Sequence, residues 1–191
     1  MSILRSLTRW LGAHDGMTHI VAGNPAPNFS LKSPDGHQFS LADSLRKGPV
    51  VLGFFKISCP VCKFTFPFLE RLYQRYKSDN VTFLGVSQDG VSATRDFAQS
   101  LGVTFPILTD EVGYPPSPSN GHRDYPISNA YGLTVVPTVF LIDSDGTVKI
   151  SSMGFVKADL ESIADALADR QNITRTPVFL KTESVPANKP G

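Results

Sequence analysis

The chain is 191 residues long, 41% hydrophobic and carries a formal charge of +1. That suits one domain of roughly 150 residues with extensions, and without an Arg/Lys run it gives no electrostatic case for binding nucleic acid. Two cysteines are too few for a disulfide scaffold, the four histidines lack zinc-site spacing, and no stretch approaches the ~20 apolar residues of a membrane span.

Residues 2–12, SILRSLTRWLG, put Ile3, Leu4, Leu7, Trp10 and Leu11 on one face of a short helix closed by Gly12. This reads as an arm, residues 1–22, folded on its own domain or on a dimer mate; the same face also suits membrane-surface contact. Arg5 and Arg9 interrupt any apolar signal-peptide region, so a cytoplasmic, reducing setting is expected. From Pro25 to Leu41, Phe29 and Leu31 alternate with polar residues, Pro34-Asp35-Gly36 turns the chain, and Phe39 and Leu41 alternate again. That predicts a β-hairpin, with Asp43 or Ser44 capping a brief turn after it.

The run 50–56 (VVLGFFK) is continuous enough for a strand buried on both faces. Cys59-Pro60-Val61-Cys62 follows, and a helix is predicted over about 60–77 from Phe64, Phe68, Leu69, Leu72 and Tyr76. Pro60 suits its first position, and Pro67 should kink it. A strand over 81–87, a helix from Ser92 to Leu101 stopped by Gly102, and a short strand over 103–109 continue the alternation. Their crossovers imply parallel pairing. Residues 111–126 (EVGYPPSPSNGHRDYP) form a long aperiodic loop. After a short helix over 127–131 come a strand over 135–142, an Asp-Gly turn and a strand over 147–152. A last helix spans 155–170, and 171–191 is expected to be a tail, largely extended or disordered, with the apolar run Val178 to Leu180 as its candidate docking patch.

The chemistry rests on the two cysteines. Backbone N–H groups and the dipole at a helix N-terminus stabilise a thiolate. A second thiol one turn later can attack a mixed disulfide and release the product. By this geometry Cys59 is the nucleophile and Cys62 the resolving thiol, with Lys56 and Lys63 adding positive potential. Val136-Pro137 opens a strand about 75 residues further on. A cis bond there would set a backbone edge beside the thiols that holds an extended substrate chain. Pro60, Val61 and Val136 are then the residues expected to flank the substrate.

With these motifs placed, the chain from about 23 to 170 resembles the thioredoxin fold. More closely it resembles the redoxin group of peroxiredoxins (alkyl hydroperoxide reductase/thiol-specific antioxidant type) and thioredoxin-like disulfide reductases. Pro25 to Leu41, the Cys59–Cys62 motif, Tyr131-Gly132 and Pro137 to Asp143 carry the resemblance jointly. It implies an α/β fold: a central mixed sheet flanked by helices, with an N-terminal β-hairpin extension. Peroxidatic members carry Thr or Ser three residues before the reactive Cys and an Arg where the later strand begins; here those positions are Lys56 and Pro137. The proline matches the thiol–disulfide branch, although no Trp precedes Cys59 and Gly53 lies near where thioredoxins place a buried acid.

The leading expectation is a thiol–disulfide oxidoreductase with no cofactor, acting on a disulfide-containing protein or small molecule and fed by a thiol electron donor. A peroxiredoxin-like peroxidase using the same thiols is the first alternative. The second is a copper chaperone using Cys59, Cys62 and His122.

Overall fold

Residues 18–78, 80–110 and 125–191 are described by a computed structural model of the chain. The expected hairpin forms from β1 (Ser30–Lys32) and β2 (Gln38–Ser40), antiparallel, with Leu31 opposite Phe39. Ser40 then caps α1 (Leu41–Lys47), its hydroxyl accepting from the Asp43 N–H at 3.0 Å. The brief turn expected at Asp43 or Ser44 is therefore a helix capped earlier.

Strand β3 (Val50–Phe55) is buried at every position, as a strand covered on both faces must be. Helix α2 (Pro60–Tyr76) starts on Pro60, whose missing N–H costs nothing at a first position, and continues through Pro67. Strand β4 (Thr82–Ser87), α3 (Val91–Leu101) and β5 (Ile107–Thr109) follow. β4 pairs parallel with both β3 and β5, as the crossovers required. α3 begins at Val91 with Gly90 as cap, so Ser92 lies inside the helix, and Gly102 closes it in the left-handed region at φ +65°. Helix α4 (Pro126–Ala130) leads to β6 (Thr138–Ile142), antiparallel to β3, and β7 (Val148–Met153) completes the sheet. The sheet order is β5-β4-β3-β6-β7. β6 begins later than 135 because Pro137 has no N–H to give a ladder.

The alternation of β3 divides the core. Val51 and Phe55 point into a cluster with Phe66, Leu69 and Leu72 of α2. Val50, Leu52 and Phe54 point to the other face, against Phe29, Leu41, Tyr131 and Phe140. Phe55 and Phe66 pack at a tilt with centroids 4.4 Å apart. Each such ring contributes about 1.5–3 kcal/mol by burial.

Phe155 and Val156, expected as the start of the last helix, are instead a short strand, β8, ahead of α5 (Lys157–Gln171). The segment after α5 runs in extended and turn conformation, and its apolar run docks on the domain while Leu180 stays exposed. Val178 and Phe179 are buried, and Phe179 packs on Phe68 at 4.9 Å. Arg71 of α2 grips both carboxylate oxygens of Glu183 at 2.7 and 2.8 Å and donates to the Val178 carbonyl at 2.6 Å. Strand β9 (Asn188–Lys189) then pairs antiparallel with β8. The anchors are aperiodic, so no helix or strand period announced them.

The expected amphipathic helix at 2–12 and residues 111–124, including His122, lie outside the described residues. Among the described residues no helix is long and apolar enough to cross a membrane.

Candidate active site

The two thiols sit where the carboxyl end of β3 hands over to α2. Residues 56–58 make the turn, closed by the Cys59 N–H donating to the Lys56 carbonyl at 3.2 Å. Cys59 is the cap residue of α2, with φ −81° and ψ 117°, so its side chain stands at the end of the helix where backbone N–H groups have no intrahelical partner. The Cys62 N–H donates to the Cys59 sulfur at 3.3 Å. Both cysteines are free thiols; Cys59 is half-buried and Cys62 fully buried.

Burial marks Cys62 chemically. Desolvation pushes the Cys62 thiol well above its ordinary value, and the neighbouring Cys59 and the charge of Asp89 push the same way, opposed by a backbone hydrogen bond from Lys56. Cys62 therefore holds its proton at neutral pH.

Val136-Pro137, distant in sequence, closes the other side. The peptide bond is cis, and the Cys59 thiol donates to the Val136 carbonyl at 3.2 Å. Thus Cys59, Cys62, Val136 and Pro137 come together as the sequence predicted. Pro60 is exposed beside Cys59, and Val61 is half-buried against the α2 core. Lys56 is half-buried with its ammonium 5.4 Å from the Tyr125 ring centroid. With Gln88, Asn129 and Thr134 it lines a recess of about 240 Å³ next to Val136.

Two carboxylates escaped the sequence reading. The half-buried Asp89, just past β4, accepts from the Ile57 N–H at 2.7 Å and so anchors the turn that carries the cysteines. Its position at the carboxyl ends of adjacent parallel strands is the signal that could have marked it. Asp110, 1% exposed, accepts from the N–H groups of Ile127 and Ser128 and from the Ser128 hydroxyl, fixing the start of α4. Under the thiols, a β-carbon on Gly53 would stand 3.2 Å from Leu69 Cδ1 and 3.7 Å from Phe66 Cζ. The place where thioredoxins keep a buried acid is filled by side chains of α2. Among the described residues, no three His, Cys, Asp or Glu side chains are grouped to hold a metal.

Residues 22–151 match the family model described as AhpC/TSA family. The chain belongs to the AhpC/TSA family. Within reach of this AhpC/TSA chain are relatives named thiol-disulfide oxidoreductase ResA. The one from Geobacillus kaustophilus is 34% identical over 146 residues, covering 75% of this chain and 76% of the relative. The one from Bacillus subtilis is 33% identical over 134 residues, covering 70% and 68%. Among solved structures, MTB DsbF in its mixed oxidized and reduced forms matches with a TM-score of 0.59 at 28% identity, over 73% of this chain and 94% of that one. A thiol:disulfide interchange protein of the thioredoxin family from Chlorobium tepidum TLS gives 0.59 at 25% identity, over 76% and 96%. The thioredoxin-like fold expected from the sequence is the fold of this AhpC/TSA chain.

Proposed function

We propose that this AhpC/TSA-family chain is a thiol–disulfide oxidoreductase in which Cys59 attacks and Cys62 resolves. One observation carries the assignment of roles. Two thiols one helical turn apart differ in access: Cys59 caps the helix beside the Val136 carbonyl, and Cys62 is buried.

The sulfur of Cys59, as thiolate, attacks one sulfur of a substrate disulfide. A Cys59–substrate bond forms, the substrate S–S bond breaks, and the departing sulfur takes up a proton. Cys62 then gives up its proton, attacks the Cys59 sulfur and expels the second substrate thiol. The substrate has gained two electrons and two protons, and the Cys59–Cys62 disulfide remains. A thiol donor must reduce that disulfide before the next turnover.

The Lys56 and Pro137 positions favour this reading over a peroxidase, because neither supplies the hydroxyl or the guanidinium that polarises a peroxide bond. Stopped flow of the reduced protein against hydrogen peroxide and against a peptide disulfide tests it. The disulfide should react well above the rate of a free thiol and the peroxide no faster than one; the reverse order assigns the site to peroxide reduction. A Cys62→Ser variant should accumulate a Cys59–substrate mixed disulfide visible by mass, and its absence would remove Cys59 from the first step.

A further inference from the structure

The Val136 carbonyl is approached from two directions. On one side is the Cys59 thiol at 3.2 Å. On the other is Gly191, where an added β-carbon would stand 2.6 Å from the same oxygen and 3.2 Å from Val135 Cβ. The last residues of the sequence thus reach the backbone edge that flanks the reactive sulfur. They arrive in extended form. Val156 pairs with Asn188 and Phe155 with Lys189, and the Lys157 N–H donates to the Ala187 carbonyl at 2.8 Å. Gly154 permits the approach: at φ +74°, it has the Lys189 carbonyl 2.5 Å from where its β-carbon would be. Gly154 also donates its N–H to the Pro137 carbonyl at 2.7 Å, tying this edge to the Val136-Pro137 turn. The ammonium of Lys189 sits 4.8 Å over the ring of Phe64, in the α2 turn next to Cys62.

We propose that residues 186–191 are a displaceable occupant of the polypeptide-docking edge beside Cys59, which protein and peptide disulfides must dislodge to react. The proposal rests on the disulfide-exchange reading above and adds to it a gate on the edge where an extended polypeptide substrate docks. The hold is built to be weak. Pro186, Ala187, Asn188, Pro190 and Gly191 are all exposed, and only Lys189 is half-buried. The firm anchors, Val178, Phe179 and Glu183, lie before the segment, so it can peel away while the rest of the tail stays docked. A competing chain offers the same main-chain hydrogen bonds to β8, and this segment presents no large apolar side chain to defend them. Small reagents need no strand and approach Cys59 directly.

The test compares the reduced full chain with a variant ending at Val185, in three arms. First, a peptide disulfide should react faster with the shortened chain by at least about fivefold, the factor by which occupancy lowers apparent affinity. Second, alkylation by iodoacetamide should change by less than about twofold, since it needs no strand. Third, a fluorescent peptide of residues 184–191 (SVPANKPG) should bind the shortened chain and not the full one, and should slow its peptide-disulfide reaction. Lys189→Glu in the full chain, which leaves every core residue in place, should accelerate the peptide reaction in the same direction. Equal peptide-disulfide rates in both chains, or no binding of the labelled peptide to the shortened one, overturns the gate. If neither chain reacts with the peptide disulfide while Cys59 is alkylated normally, the exchange reading fails; the binding arm still decides the occupant.

Discussion

Cys59 and Val136, 77 residues apart in sequence, share a hydrogen bond in which the thiol donates to the carbonyl at 3.2 Å. The same sulfur accepts from the Cys62 N–H, so it is held from two sides at the mouth of the site. Cys62 has no such opening: it is 0% exposed.

This asymmetry has an alkaline signature. Burial raises the Cys62 thiol above its ordinary 9.0, so the folded, reduced chain keeps that proton to higher pH than the unfolded chain. The resulting stability is fully present below 9.0 and falls as pH rises past it toward the folded value. Melting of the reduced protein from neutral pH to pH ~10 should show the decline, and Cys62→Ala should flatten it. An equal slope in both proteins would place the alkaline loss elsewhere. At neutral pH, peptide mapping after iodoacetamide treatment should find Cys59 modified and Cys62 spared.

Asp89 anchors the turn and also bears on the buried sulfur of Cys62. Its carboxylate receives the Ile57 N–H at 2.7 Å, and losing that acceptor leaves a partly buried donor unpaired. Asp89→Ala should cost about 1–3 kcal/mol in urea unfolding. Asp89→Asn keeps an oxygen acceptor and should recover most of the loss. As a positioning residue, Asp89 should also affect the reduction potential, since its charge lies close enough to Cys62 to oppose ionisation. Redox titration against glutathione should separate Asp89→Ala from the parent, whereas an unchanged potential would restrict Asp89 to stability.

The distribution of what was readable follows from the range of each signal. The hairpin, β3, α2 and the Cys59–Cys62 motif were visible because period, caps and thiol spacing are local properties. Val136 and Pro137 were visible because proline marks its own position and the fold resemblance placed it opposite the cysteines. Asp89 was not, because its role depends on the N–H of Ile57, 32 residues earlier, turning toward it where the two strands end. In the tail, the apolar run Val178 to Leu180 was legible as a docking patch, but its partners and the role of Glu183 were not. Val178, Phe179 and Glu183 show no period, and their partners Phe68 and Arg71 lie more than a hundred residues earlier. A proline-rich composition suggests disorder only while those partners are unknown.

Gly53 tests the claim that this site has no room for a buried acid beneath the thiols. A β-carbon there already stands 3.2 Å from Leu69 Cδ1, and Phe66 covers the remaining space. Gly53→Asp must bury an unpaired carboxylate in a filled core, at a cost on the order of 3–5 kcal/mol. Gly53→Ala needs Leu69 to yield only a few tenths of an ångström and should fold. If Gly53→Asp folded with parental stability and gained exchange activity, the site would have space for a proton-transfer group after all.

Glu183 makes the tail acid-sensitive. Its carboxyl is held at about 2, below the ordinary 4.5, first by the Arg71 guanidinium and then by the Leu180 N–H. The sign follows from linkage: a lowered folded value gives stability that is complete above 4.5 and lost as pH falls toward about 2. Acidification should therefore loosen the segment around Val178 and Phe179 before the sheet melts. NMR of the Phe179 ring, which packs on Phe68 and Phe155, reports that step directly. Glu183→Gln should show the loosened ring signals at neutral pH and little further change on acidification. An acid transition of the same size in that variant would move the sensitivity to another carboxylate.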